Sequence, residues 1–156
     1  MAHPFLVAGL AAAAPLLAMG SERWPGLAPC ALCLWQRWPY WVAAGLALAA
    51  GFAPAAWRRW LLRGAALAVL ASGAIAALHV GVEQGWWPSP LPSCLAPTAT
   101  GNSVEELMRT LRPTPAKPCD EATYLIPGLP LSIPGMNLIY ALGLAAFTWS
   151  RAARRA

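Results

Sequence analysis

The sequence predicts an all-α membrane protein, a four-transmembrane-helix bundle with a short amphipathic surface helix, on three observations. Of 156 residues, 58% are hydrophobic and 11% charged, whereas soluble domains carry roughly 25% charged residues. The apolar residues gather into four runs divided by proline and glycine. No run alternates apolar and polar residues as barrel strands do, and in lipid only helices and closed barrels satisfy their own backbone.

A helix needs about 20 mainly apolar residues to cross the hydrocarbon. The candidate spans are about 4–20, 33–52, 60–82 and 134–150 of a single membrane domain, 1–156. Pro25, Gly26 and Pro29 separate the first two, Pro54 the next two, and a long proline-rich stretch from Pro88 to Pro134 precedes the last. The first run could instead be a signal peptide ending at Ala18-Met19-Gly20. Only His3 and the amino terminus precede it, so the positive leader region is missing, and a retained span is the preferred reading.

Basic residues set the orientation. Arg58, Arg59 and Arg63 follow the second run, and Arg151, Arg154 and Arg155 follow the fourth. Cytoplasmic loops are rich in arginine and lysine, so the loop at about 53–59, the tail at 151–156 and the N-terminus are expected in the cytoplasm. Loops 21–32 and 83–133 then face the periplasm of a bacterial inner membrane. The net charge of +5 sits in these clusters and not in a basic stripe with a recognition motif, which argues against nucleic acid.

All four cysteines, Cys30, Cys33, Cys94 and Cys119, fall in or beside the periplasmic loops, where disulfides persist. Four cysteines allow three pairings, and spacing does not choose among them. Cys30 and Cys33 form a C-x-x-C at a helix start, where orphan N–H groups favour a thiolate. Arg37, one turn beyond Cys33, adds a positive charge. Cys94 and Cys119 would close a long loop, which by itself suits a structural bond. A four-cysteine zinc site is disfavoured, because such sites commonly use two short-spaced pairs. Within the long loop, Ser103 and Glu106 form a capping-box pattern. Val104, Leu107, Met108 and Leu111 continue at helical spacing over 102–113, which predicts a helix on the membrane surface.

Taken in order, these pieces resemble the DsbB family of membrane thiol oxidases. The most specific is Cys30-Ala-Leu-Cys33-Leu-Trp-Gln-Arg37 at the second span. It is joined by 82-VEQGWWPSPLPSC-94, Cys119-Asp-Glu, and 131-LSIPGMNL-138 entering the fourth span. The resemblance implies a quinone-linked protein-disulfide oxidoreductase. Its partner would be a reduced periplasmic DsbA-type protein with a thioredoxin fold. It implies disulfides Cys94–Cys119 and Cys30–Cys33, with Cys94 meeting the partner. Cys33 would face ubiquinone or menaquinone, and Arg37 would hold and polarise it. Gln36 stands where some relatives carry an acid, and Gln84 where some carry histidine. His79 reads as a helix-end polar residue, Pro39 as a kink or a helix start, and Trp35 and Trp38 as interfacial anchors.

Two other functions compete. A vitamin K epoxide reductase-like protein is also a four-helix quinone oxidoreductase, but its membrane-facing C-x-x-C follows the distal pair, whereas here it comes first. A scaffold stapled by two structural disulfides would have no use for Arg37 beside an apolar C-x-x-C.

Overall fold

The computed structural model describes residues 3–23, 28–94, 117–126 and 128–153. Among them are four α-helices and no strands: α1 (His3–Arg23), α2 (Ala31–Phe52), α3 (Ala55–Glu83) and α4 (Ile133–Ala153). One 3₁₀ turn, Pro92–Cys94, lies between α3 and α4. The surface helix expected over 102–113 falls outside the described residues.

Each helix overruns the apolar run that announced it, because helix ends are set by caps and hydropathy runs by composition. Pro54, extended in backbone, precedes α3 and accepts from the Trp57 and Arg58 amides. The helix therefore starts before the polar turn carrying Arg58 and Arg59. Pro39 lies inside α2 without ending it. Two helices, α1 and α3, are long and apolar enough to cross a membrane. The similar lengths of α2 and α4 carry Gln36, Arg37 and Tyr40, or Asn137 and Tyr140, which lower their apolar content and build the site described below.

Neighbouring helices run antiparallel. Phe5 of α1 meets Phe52 of α2 with ring centroids 5.4 Å apart. Arg63 of α3 lies 5.8 Å over the Trp149 ring of α4. The Cys30 sulfur before α2 reaches His79 near the end of α3. One end of this up-and-down bundle thus carries Arg58, Arg59, Arg63 and Arg151, and the other the cysteines. The shared core is made largely of small residues, with Ala43, Ala47 and Ala50 of α2 and Ala65 of α3 fully buried. Small residues let backbones approach closely where lipid provides no hydrophobic drive between helices. At Gly73 a Cβ would lie 3.1 Å from the Ala141 Cβ, so α3 and α4 touch almost backbone to side-chain root.

The exit from α3 aims the chain back at the site. The Trp86 amide donates to the Gly81 carbonyl and the Gly85 amide to that of Val82. Gly85, at φ 70°, takes the left-handed position of this Schellman cap, where a Cβ is penalised. The turn lays the Trp87 indole over Gly81, where its Nε1 donates to the Leu78 carbonyl at 3.0 Å. The chain then reaches Cys94, whose carbonyl accepts from the Cys119 amide at 3.3 Å.

Candidate active site

The proline-rich approach to α2 makes Cys30 the N-cap residue, with φ −85° and ψ 168°. Its sulfur accepts from the Cys33 amide at 3.2 Å, filling the place a serine or aspartate side chain commonly takes. The two sulfurs lie 2.8 Å apart and share a hydrogen bond. Cys30 and Cys33 are thiols in this structure, while Cys94 and Cys119 are joined by a disulfide. The hydrogen bond from Cys33 holds the Cys30 thiol below its ordinary value, against burial that pushes it upward. Thiolate character therefore settles on the capping sulfur, one turn before the position to which the spacing of Cys33 and Arg37 pointed.

The two sulfurs of the C-x-x-C face different surroundings. Cys30 belongs to a buried cluster with Leu32, Val82, Cys94 and Cys119. Its sulfur, a His79 nitrogen and the Cys119 sulfur lie within 4.8 Å of one another. These atoms have metal-ligand types, but Cys119 is bonded to Cys94, so its sulfur offers no thiolate in this state. A thiol beside a disulfide sulfur is instead the arrangement from which exchange starts. Cys33, partly exposed, lines a cavity of about 320 Å³ bounded by α1, α2, α4 and residues 123–125. Its walls are mostly apolar, with Ala14, Leu17 and Met136 among them, and Gln36, Arg37, Tyr40 and Asn137 add polar atoms. An apolar cavity with a few convergent polar groups is the common form of a small-molecule site. Here α1 and α4 touch only sparingly, which leaves the cavity between them.

Arg37 lines that cavity but is paired with Glu22 of α1 through its Nη2, and makes no hydrogen bond to Cys33. Its Nε is buried and has no partner among the described residues. Cys94 is 3% exposed, so an incoming protein thiol reaches it only when its cover gives way.

His79, read from sequence as a helix-end residue, lies at the centre of the site and is 2% exposed. Its Nε2 is 3.5 Å from the Cys30 sulfur and 3.2 Å from the Cys119 carbonyl oxygen. Its Nδ1 is 3.0 Å from Gln36 Nε2 and 4.0 Å from the Cys33 sulfur. Gln36 Oε1 accepts from Asn137 Nδ2 at 2.7 Å, and the Tyr40 hydroxyl donates to Asn137 Oδ1 at 2.7 Å. Glu22, Gln36, Asn137 and Tyr40 were also missed as site residues. The only signal available was polar atoms within apolar helical runs, where each unsatisfied group is costly and so has a partner.

A family model described as disulfide bond formation protein DsbB matches residues 2–150 of the chain. No curated protein and no solved structure matches it.

Proposed function

Because the chain belongs to the DsbB family of membrane thiol oxidoreductases that serve disulfide bond formation, we propose that it is the quinone-dependent oxidase of a periplasmic DsbA-type dithiol protein. The observation that carries this reading is the division of labour within the C-x-x-C. The Cys30 sulfur lies within 4.8 Å of the Cys119 sulfur, while Cys33 opens onto the apolar cavity. Four spans, with both termini in the cytoplasm and the cysteine end in the periplasm, fit the cluster of Arg58, Arg59, Arg63 and Arg151 at the opposite end of the bundle.

The thiol steps balance as follows. A partner thiolate attacks Cys94, breaking Cys94–Cys119 and releasing the Cys119 thiolate. The partner's second thiolate resolves the mixed disulfide, and the partner leaves oxidised. With Cys30–Cys33 as a disulfide, the Cys119 thiolate attacks the Cys30 sulfur and Cys33 leaves as a thiolate beside the cavity. Cys94 then attacks Cys119, restoring Cys94–Cys119 and releasing the Cys30 thiolate. Two electrons have moved from the distal pair to the C-x-x-C.

The cavity residues fit a quinone ring: apolar walls suit its body, and Arg37, whose Nε has no partner among the described residues, is among the few polar groups that line it. When bound, ubiquinone or menaquinone supplies a two-electron, two-proton acceptor. The guanidinium of Arg37 would hold that acceptor beside Cys33, and its positive charge would favour an electron-rich carbonyl there. Tyr40 and Tyr140, with ring centroids 6.1 Å apart, form part of the cavity wall.

The test is turnover in detergent with a reduced thioredoxin-fold partner and a soluble quinone, combined with trapping. A partner lacking its resolving cysteine should form a covalent complex through Cys94. Absence of quinone-dependent partner oxidation, or a trapped link at Cys30 with all four cysteines present, overturns the reading.

A further inference from the structure

The hydrogen bonds around His79 favour one proton arrangement, because backbone carbonyls lie at both ends. At one end the Ser72 hydroxyl lies 2.8 Å from the carbonyl of Gln36. A carbonyl only accepts, so Ser72 donates there and its oxygen is left to accept. Asn137 Nδ2 lies 3.4 Å from that oxygen and 2.7 Å from Gln36 Oε1, so the nitrogen side of the Asn137 amide faces both. The Gln36 amide, with its oxygen committed to Asn137, then presents N–H to His79 Nδ1 at 3.0 Å. A nitrogen that receives a hydrogen bond carries no proton. The ring proton therefore sits on Nε2, facing the Cys119 carbonyl at 3.2 Å and the Cys30 sulfur at 3.5 Å.

We propose that Ser72, Asn137 and Gln36 are positioning residues that lock His79 as the neutral Nε2–H tautomer, so that it serves as a hydrogen-bond donor to the Cys30 sulfur and not as a base. Protonating Nδ1 would set N–H against N–H at Gln36. Reversing Gln36 would require reversing Asn137, which Ser72 opposes. In this buried setting each mismatch leaves an unpaired polar group, the costly case for hydrogen bonds. The consequence rests on the exchange reading above: a fixed N–H stabilises the Cys30 thiolate released when Cys94 restores the distal disulfide.

Asn137→Asp is a near-isosteric test. An ionised carboxylate at position 137, secured by recording at alkaline pH because burial raises a carboxyl pKa, accepts but cannot donate, so the Gln36 amide turns to donate to it and presents its oxygen to Nδ1. The wild-type protein, ¹⁵N-labelled at histidine in a His3→Gln background and held in micelles, should show Nε2 protonated and Nδ1 bare. Asn137→Asp should move the proton to Nδ1. With Cys33→Ser added, it should slow alkylation of Cys30 at neutral pH about tenfold, the scale of one hydrogen bond to a charged sulfur. Tyr40→Phe removes the hydrogen bond at the other face of Asn137, which does not set the direction, and should leave both readings unchanged. A wild-type proton on Nδ1 overturns the proposal, whatever the variants do. So does Asn137→Asp that keeps the Nε2 proton, or Tyr40→Phe that slows Cys30 alkylation equally. Neither readout requires turnover, so failure of the oxidase reading would be seen separately.

Discussion

Gly81→Ala tests how the exit of α3 delivers Cys94 to the site. A Cβ at position 81 would overlap the Trp87 indole, and the rotatable indole, not the helix backbone, must yield. Two losses follow. The Trp87 Nε1 bond to the Leu78 carbonyl breaks, worth about 1 kcal/mol. The indole, now 42% exposed, also loses part of the burial that a tryptophan of 150–250 Å² provides, about 2 kcal/mol at roughly 25 cal/mol per Å². Against these, replacing a helical glycine by alanine gains about 1 kcal/mol. The net is a destabilisation of about 2 kcal/mol, which lowers the melting temperature by roughly 4–8 °C for a chain of this size. Thermal unfolding in detergent reads the first effect. Stopped-flow transfer of electrons from the reduced distal pair to Cys30–Cys33 reads the second, and should slow because the turn leading to Cys94 has moved. Unchanged or raised stability, or transfer at the wild-type rate, refutes this account of the turn.

Other perturbations separate the two halves of the site. Cys33→Ser should abolish quinone reduction while leaving partner capture at Cys94, measured by turnover and by peptide mapping of the trapped complex. Arg37→His should raise the apparent KM for quinone more than it slows thiol exchange; an unchanged KM removes the assigned role of the guanidinium. Because the hydrogen bond from Cys33 holds the Cys30 thiol below its ordinary value, alkylation of Cys30 in Cys94→Ser, Cys119→Ser protein, which keeps Cys33, should persist at pH values where a model thiol, of pKa about 8.5, is mostly protonated, as read at Cys30 by peptide mapping. Its thiolate should also stabilise the reduced fold above the unfolded pKa and cease to do so as pH falls through the lower folded value. In intact cells, reduced cysteines at 30, 33, 94 and 119 should react with an impermeant maleimide, and a cysteine engineered in place of Arg58 should not. External labelling of the latter reverses the topology.

Much of the helical framework was legible because apolar runs and prolines are local signals. The cysteine pattern was legible because C-x-x-C followed by Arg37 is a short word. Contacts between those words were not. Glu22 meets Arg37 across 15 positions, His79 meets Cys30 across 49, and Asn137 meets Gln36 across 101. Only the packing of α1, α3 and α4 around α2 brings them together. The dipole argument found the right helix end, but the charge of Arg37 drew attention to Cys33. The backbone geometry of the cap gives the advantage to Cys30. His79 looked peripheral because it lies one turn from the end of α3, yet that end is the cysteine end of the bundle. The 102–113 helix, argued from a capping pattern and the helical spacing of its apolar residues, lies outside the described residues.

Electrons should pass between the two pairs through Cys30 and Cys119. The most direct measurement is peptide mapping of Cys33→Ser, Cys94→Ser protein after mild oxidation in micelles, in which each pair retains only the sulfur assigned to the exchange. The account predicts a Cys30–Cys119 disulfide in most molecules, since those sulfurs already lie within 4.8 Å. It also predicts far less cross-linking in the complementary Cys30→Ser, Cys119→Ser protein, which retains Cys33 and Cys94. Two free thiols in the first protein, or preferential linkage of Cys33 to Cys94 in the second, would contradict it.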